Sequence, residues 1–315
     1  MKSIISYVLP VYNESENISY LYKELIEVLS KYNKYNYEFI FINDGSNDDS
    51  LEKLVNIQSK DKRIVVINFS RNFGHQMAIT AGMDYAAGEA VVIMDSDLQD
   101  PPKVSIDLIK KWEEGYEVVY AQRLSRKDNS FKKITAKLFY KILNKLTDIE
   151  IPEDTGDFRL IDRKVVNELK NFREQNRFMR GLVSYVGFKQ TAVLFDRDDR
   201  HAGKSSYTLR KMIKFAIDGI FSFSSTPLKI ISRLGGSISV LSIIGIIYAL
   251  IMKIFYPDKT VPGWTLLIIT VLFIGGLQLL ILGVLGSYIG RIYTESQHRP
   301  LYIISSILSE KNNAK

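Results

Sequence analysis

Short apolar runs alternate with amphipathic segments through the N-terminal part of the chain, and polar clusters separate them. The amphipathic segments place apolar residues at helical spacing, as at Leu21, Leu25 and Leu29. Strands that alternate with helices in this way predict right-handed βαβ units and a mainly parallel sheet in an α/β fold. The predicted strands are Ile4–Leu9, Glu38–Ile42, Ile64–Phe69, Ala90–Met94 and Glu117–Arg123.

Polar clusters follow three of these strands directly. Tyr12-Asn13-Glu14 follows the first, Asp44-Gly45-Ser46 the second and Asp95-Ser96-Asp97 the fourth. In parallel sheets, ligands bind beyond the carboxyl ends of the strands. The pattern therefore predicts one ligand site that all three clusters line.

The Asp95-Ser96-Asp97 turn carries two carboxylates one residue apart, at the end of a strand that reads as buried on both faces. Such carboxylates repel each other unless a cation lies between them, and Mg²⁺ or Mn²⁺ bridging to phosphate oxygens is the usual solution. A solvated acidic turn is the alternative for this short pattern alone. The chain has no G-x-G-x-x-G after the first strand and no P-loop motif, which disfavours a dinucleotide site and a P-loop NTPase.

Two long stretches near the C-terminus, 234–252 and 260–290, contain no charged residue. A helix of about 20 residues crosses the hydrocarbon core of a membrane, so each stretch is long enough to span it. The predicted organisation is a soluble N-terminal domain at 1–207, juxtamembrane amphipathic helices at 208–232, two transmembrane helices at about 234–254 and 264–290 within 233–290, and a C-terminal tail at 291–315.

The chain has a net charge of +7, and a group of its basic residues lies close to the predicted spans. This placement predicts that the N-terminal domain and both termini are cytoplasmic, and it disfavours nucleic acid as a partner. With no cysteine in the chain, disulfides and thiol catalysis are excluded. Histidines 75, 201 and 298 have no partner at metal-ligand spacing, and we interpret all three as non-ligands. The flanking bases are Arg210, Lys211, Lys214, Lys229, Arg233, Arg291 and Arg299.

Seven motifs occur in one order along the chain. They are P-V-Y-N-E at 10–14, N-D-G-S-x-D-x-S at 43–50, R-N-F-G at 71–74, M-D-S-D-L-Q-D-P-P at 94–102, T-G-D-F-R-L at 155–160, N-R-F-M-R-G-L at 176–182 and H-A-G-K-S-S-Y at 201–207. Followed by two predicted spans, they closely resemble the polyprenyl-phosphate glycosyltransferases of glycosyltransferase family 2. These include bacterial bactoprenol glucosyltransferases and, more distantly, dolichol-phosphate mannose synthase. The resemblance covers residues 1 to about 300.

The resemblance implies a GT-A nucleotide-diphosphosugar transferase fold in a membrane-bound enzyme. The implied reaction is inverting transfer of one sugar from a nucleotide donor, with UDP favoured, to polyprenyl phosphate with Mg²⁺ or Mn²⁺. The implied donor-binding residues are Pro10, Tyr12, Glu14, Asp44, Ser46, Asp95, Ser96, Asp97 and Gln99, with Asp95 and Asp97 as metal ligands. The implied reaction-centre residues are Asp157, Arg123 and Arg159. The implied acceptor-phosphate residues are Arg126, Arg200, Lys204 and Ser205.

Asp157 is interpreted as a base or, preferably, as a residue that orients the acceptor. A phosphate monoester has its second pKa near 6, so the acceptor oxygen is already largely ionised at neutral pH and demands no strong base. The glycine-rich spans and the segment 291–306 could exchange contacts between subunits, so we expect a homo-oligomer, with a tetramer as one option.

Two alternative functions compete with the polyprenyl-phosphate transferase. A processive polysaccharide synthase carries a Q-x-x-R-W motif and more spans, whereas Gln175-Asn176-Arg177-Phe178 does not match that motif. A non-catalytic membrane adaptor that binds a sugar nucleotide would not need both turn carboxylates and Asp157, and all three are present. The residues do not identify the sugar, the length of the lipid or the choice between Mg²⁺ and Mn²⁺.

Overall fold

The structure is a computed structural model that describes residues 2–124, 152, 155–196, 226–255 and 263–309. The described residues form two compact units. Of the described residues, 2–124, 152, 155–196 and 299–309 belong to the first unit, and 226–255 and 263–298 belong to the second.

The first unit is built on one sheet of eight described strands. The strands are β1 Ile4–Val11, β2 Asn36–Asn43, β3 Ile64–Phe69, β4 Ala90–Ile93, β5 Val118–Arg123, β6 Thr155–Asp162, β7 Gln190–Phe195 and β8 Ile304–Leu308. Their order across the sheet is β7-β5-β6-β4-β1-β2-β3-β8. The helices of this unit are α1 Ser15–Ser30, α2 Ser50–Gln58, α3 His75–Tyr85, α4 Pro102–Glu113, α5 Arg163–Leu169 and α6 Met179–Tyr185.

The centre of the sheet confirms the predicted α/β architecture. Strands β3, β2, β1 and β4 are parallel neighbours, and β5 is parallel to β7. The apolar side chains of β1, β2 and β4 are almost wholly buried, apart from Ile4 at the edge of β1. Such burial on both faces explains why these strands read as near-continuous apolar runs rather than as alternating ones. The carboxyl ends of the parallel strands meet at one edge of the sheet.

Strand β6 is not among the strands predicted from the sequence. It runs antiparallel between β4 and β5, so its first residues lie at the same edge as the carboxyl ends of those two strands. It was missed because Asp157 and Arg159 are buried in this strand, where charged residues are rare unless they are paired. Because these two charged residues interrupt the apolar run, the hydropathy pattern alone does not predict a strand here.

Strand β8 comes from the segment that the sequence assigned to a C-terminal tail. It pairs antiparallel with β3 and covers that edge of the sheet. Tyr302 stacks on Phe69 with ring centroids 5.2 Å apart, and its hydroxyl donates to Asp84 Oδ2 at 2.8 Å. Arg173 donates to both oxygens of the same carboxylate, at 2.8 and 3.0 Å. The pairing of β8 and the contacts of Tyr302 attach this segment to the rest of the first unit.

The second unit contains two long helices, α7 Thr226–Phe255 and α8 Trp264–Ser296. They cover both predicted spans, and Pro227 lies in the first turn of α7, where the missing N–H costs no helical hydrogen bond. Among the described residues, one segment, Phe273–Ser296, is long and apolar enough to cross a membrane. The length and composition of the two helices therefore do not establish the predicted hairpin of two transmembrane spans. Of the predicted juxtamembrane segment, 226–232 belongs to α7, and 208–225 lies outside the described residues.

Candidate functional site

The turns after β1 and β2 are tied to each other by side chains. The Asn13 N–H donates to Ser46 Oγ at 3.0 Å, and Asn13 Oδ1 accepts from the Asn47 N–H at 2.8 Å. The Glu14 N–H donates to Ser50 Oγ at 3.1 Å. The two predicted clusters therefore form one continuous surface at the carboxyl edge of the sheet.

Asp44 joins the end of β2 to the loop that follows β3. Its carboxylate accepts hydrogen bonds from the N–H groups of Phe73 and Gly74, at 2.7 and 3.0 Å, and from Asn72 Nδ2 at 3.0 Å. Burial raises the pKa of Asp44, and the hydrogen bonds from the two N–H groups offset part of that rise. Gly45 is required in this turn because its φ is +65° and a Cβ atom would lie 2.4 Å from a backbone carbon of the loop after β3. The carboxylate that the resemblance assigned to donor binding is thus turned toward the backbone of that loop.

The Asp95-Ser96-Asp97 turn lies at the end of β4, next to the end of β1. Ser96 Oγ donates to the Pro10 carbonyl at 2.8 Å, which fixes the turn against β1. Asp97 is 8% exposed and accepts from the Gln99 N–H at 3.1 Å through Oδ1. The Asp95 side chain is 31% exposed. Both carboxylates therefore lie at the sheet edge that the predicted ligand would occupy.

These two carboxylates are chemically suited to a hard divalent cation such as Mg²⁺ or Mn²⁺. Within the described residues, no group of three or more His, Cys, Asp or Glu side chains is arranged to hold a metal ion. An ion here would take one or two carboxylates from the protein and the rest of its oxygens from phosphate and water, as Mg²⁺ in nucleotide enzymes does. The donor set fits a metal that binds together with a nucleotide.

Asp157, in β6, lies at the centre of a buried polar cluster. Its carboxylate is 7% exposed and accepts from Arg180 Nε at 3.0 Å and from Gln76 Nε2 at 3.2 Å. His75 Nε2 lies 3.2 Å from the same carboxylate. Burial alone would raise the pKa of Asp157, but Arg180, His75 and Arg159 outweigh it and hold the pKa well below its usual range. Asp157 is therefore an ionised anchor for its donors and a poor proton acceptor.

His75 links this cluster to the turn after β4. Its Nε2 lies 3.4 Å from Asp95 Oδ1 as well as 3.2 Å from Asp157 Oδ2. Although 42% of the His75 side chain is exposed, the surrounding protein removes enough hydration to lower its pKa. The carboxylates of Asp95 and Asp157 outweigh that effect and raise the pKa of His75 to about 9. At neutral pH, an imidazolium thus lies between the two acidic groups.

The two predicted arginines of the reaction centre lie beside Asp157. Arg159 is 4% exposed, and its Nη2 donates to the Gly156 carbonyl at 2.9 Å. Arg123 ends β5, and its guanidinium lies next to Gly156, 3.8 Å from where a Cβ of that residue would be. The structure therefore brings together the three residues that the resemblance assigned to a reaction centre, and their roles stay a prediction. The predicted acceptor-phosphate residues Arg126, Arg200, Lys204 and Ser205 lie outside the described residues.

The remaining predicted donor residues occupy the same edge. Pro10 is buried, Tyr12 is 46% exposed, and Glu14 Oε2 accepts from Asn17 Nδ2 at 2.6 Å. An exposed aromatic ring beside fixed polar groups is suited to contact a base or a ribose.

Sequence reasoning missed three residues of the cluster: His75, Gln76 and Arg180. Gln76 donates to Asp157 and accepts from the Met179 N–H at 2.9 Å, so it also holds the start of α6. Their positions in the sequence could have indicated them, because His75 and Gln76 directly follow the R-N-F-G motif and Arg180 lies within N-R-F-M-R-G-L. Both motifs had been recognised, but no role had been given to these side chains.

The profile of a family described as glycosyl transferase family 2 matches residues 6–170 of this chain. This segment runs from β1 into α5 and includes the Asp95-Ser96-Asp97 turn and Asp157.

Curated relatives match over almost the full length. An uncharacterized glycosyltransferase of Bacillus subtilis (strain 168), YkcC, is 53% identical over 308 residues, which cover 98% of this chain and 95% of that protein. A protein of Synechocystis sp. named as an uncharacterized glycosyltransferase, sll0501, is 47% identical, covering 96% of this chain and 95% of its own length. The bactoprenol glucosyl transferase of Shigella phage SfV is 42% identical, covering 96% of this chain and 98% of that protein.

Proposed function

The chain belongs to glycosyl transferase family 2 and is a glycosyltransferase, and from this premise we propose that it transfers one sugar from a nucleotide-diphosphosugar to polyprenyl phosphate. The donor would be UDP-glucose or a related UDP-hexose. The observation that carries the proposal is the meeting of the Asp95-Ser96-Asp97 turn and the Asp157 cluster at one edge of the sheet. The name of the phage relative, a bactoprenol glucosyl transferase, supports the lipid acceptor.

Donor binding would use the ends of β1, β2 and β4. The exposed ring of Tyr12 and the fixed turns after β1 and β2 would receive the nucleoside. Asp95 and Asp97 would hold Mg²⁺ or Mn²⁺ together with the diphosphate oxygens. When bound, that ion would neutralise the negative charge that develops on the leaving nucleoside diphosphate.

The proposed reaction is a single displacement. An oxygen of the acceptor phosphate forms a bond to the anomeric carbon, while the bond from that carbon to the diphosphate oxygen breaks. The electron pair of the broken bond leaves with the nucleoside diphosphate. One displacement inverts the anomeric centre, so an α-linked donor gives a β-linked product, which NMR of the product linkage would test.

Asp157 is proposed to orient groups at the reaction centre rather than to accept a proton. Its low pKa makes it a weak base, and its carboxylate already receives donors from Arg180 and Gln76. The acceptor phosphate, with a second pKa near 6, needs no base at neutral pH. Arg123 and Arg159 place positive charge beside this point, where an anionic lipid headgroup would react.

A transfer assay on the purified full-length protein tests the function directly. Undecaprenyl phosphate and Mn²⁺ would be supplied with a panel of UDP- and GDP-sugars, and the lipid product would be separated and sized. We expect one sugar residue to move to the lipid from a UDP-hexose, and EDTA to abolish the transfer.

Other outcomes of this assay would contradict the proposal. A polymeric product would identify a processive synthase. Binding of a sugar nucleotide without transfer to the lipid from any donor would identify a non-catalytic adaptor. Full transfer in the presence of EDTA would contradict metal dependence.

We further propose that the enzyme crosses the membrane twice, with its catalytic domain and both termini in the cytoplasm. Because the chain has no cysteine, single introduced cysteines report topology without background. A membrane-impermeant maleimide should label Asp258→Cys, between the two long helices, in intact cells. It should label Lys2→Cys only after permeabilisation. Protection of both positions in intact cells would rule out the two-span arrangement.

A further inference from the structure

His75 lies between the Asp95-Ser96-Asp97 turn and the Asp157 cluster. It begins α3, directly after Gly74, and its Nε2 faces carboxylates from two different elements. Asp95 follows β4, and Asp157 lies in the neighbouring antiparallel strand β6. Nε2 lies 3.4 Å from Asp95 Oδ1 and 3.2 Å from Asp157 Oδ2, within ion-pair distance of both carboxylates. The side chain therefore connects the proposed donor and metal site to the proposed acceptor-orienting residue.

We propose that His75 is a positioning residue that couples cation binding at Asp95 to the placement of Asp157. The inference rests on the proposed function. A divalent cation bound at Asp95 would compete with His75 for that carboxylate. His75 would then pair with Asp157 alone, so occupation of the donor site would strengthen the contact that holds Asp157 in place.

The other contacts of Asp157 are consistent with this role. Arg180 and Gln76 approach the carboxylate from α6 and α3. His75 lies near the same carboxylate and also near Asp95 of the turn after β4.

Thermodynamic coupling makes the inference testable, because it must act in both directions. If His75 competes with the cation for Asp95, removing the imidazole should strengthen cation binding. The same change should weaken catalysis, because Asp157 loses one of its donors. A residue with a purely structural role would not move these two quantities in opposite directions.

The experiment compares Mn²⁺ binding and transfer in the full-length protein, with UDP present as the nucleotide probe. The free Mn²⁺ signal in EPR gives the affinity, and the transfer assay gives kcat and KM. We expect His75→Ala to bind Mn²⁺ about fivefold more tightly. We expect its kcat to fall about tenfold, with KM for the donor unchanged or lower. His75→Gln, whose amide places an N–H near the position of Nε2, should restore part of kcat.

The control is His298→Asn, at an exposed histidine in the second unit whose φ of 48° is a conformation that Asn tolerates. It should leave both quantities unchanged. Weaker Mn²⁺ binding by His75→Ala would make His75 a ligand, and unchanged binding would leave it a structural ion pair; either result overturns the inference. Absence of transfer in the unmodified protein would contradict the proposed function, while the Mn²⁺ comparison would still decide the role of His75.

Discussion

Asp157→Asn should lower the rate of sugar transfer by about 100-fold or more while UDP binding changes by less than about threefold. The substitution keeps the shape of the side chain but removes the negative charge that interacts with Arg180, Gln76 and His75. A hydrogen bond to a charged group contributes about 1.5–3 kcal/mol, and about 2.7 kcal/mol of lost transition-state stabilisation lowers a rate 100-fold. UDP should still bind because its proposed contacts lie at the ends of β1, β2 and β4.

Asp84→Asn is the matched control for this prediction. Asp84 is 12% exposed and, like Asp157, pairs with an arginine, since both of its oxygens accept from Arg173. Both variants should lower the melting temperature, because each leaves a cation without its partner. Only Asp157→Asn should lose transfer. Equal losses in the two variants would mean that Asp157 acts through stability alone, and an undiminished rate would remove it from the reaction centre.

The parts of the fold that were predicted are those whose signal is local. Strands β1 to β5 are apolar runs bounded by turn residues, and their parallel arrangement follows from the helices between them. Strand β8 was missed because its stability depends on pairing with β3, far away in the sequence. Its short, half-exposed run, Ile304–Leu308, carries little signal of its own.

The site was predicted in the same uneven way. Asp95, Asp97 and Asp157 belong to motifs in which a carboxylate stands out. His75 does not, because a histidine at the start of a helix has no characteristic spacing. Its proposed role depends on the carboxylates of Asp95 and Asp157, which the fold brings within 3.4 Å of His75 Nε2. Spacing along the chain led only to the expectation that His75 is not a metal ligand, and it could not reveal that His75 lies near carboxylates from two different elements.

Asp97→Ala should cause a second large loss, in both metal binding and sugar transfer. Asp97 is almost buried at the sheet edge, and its Oδ1 accepts from the Gln99 N–H, so the carboxylate is held in place before any ligand binds. Loss of an outer-shell partner typically costs 10- to 100-fold in metal affinity, and loss of a carboxylate ligand should cost at least as much. We therefore expect Mn²⁺ affinity in the presence of UDP to fall by more than about 100-fold, and transfer to become undetectable.

Asp107→Ala separates this effect from a general loss of negative charge. Asp107 lies on α4, is 56% exposed and pairs with Lys110 at 2.9 Å on the helix surface. An exposed pair of this kind contributes about 0.5 kcal/mol, so the control should keep its melting temperature, its Mn²⁺ affinity and its transfer rate. If Asp97→Ala binds Mn²⁺ as tightly as the control does, the ion is not held by the turn after β4. The charge on the leaving diphosphate would then have to be neutralised by cationic side chains, and Arg123 would be the first to substitute because it ends the strand beyond β6 at the same edge.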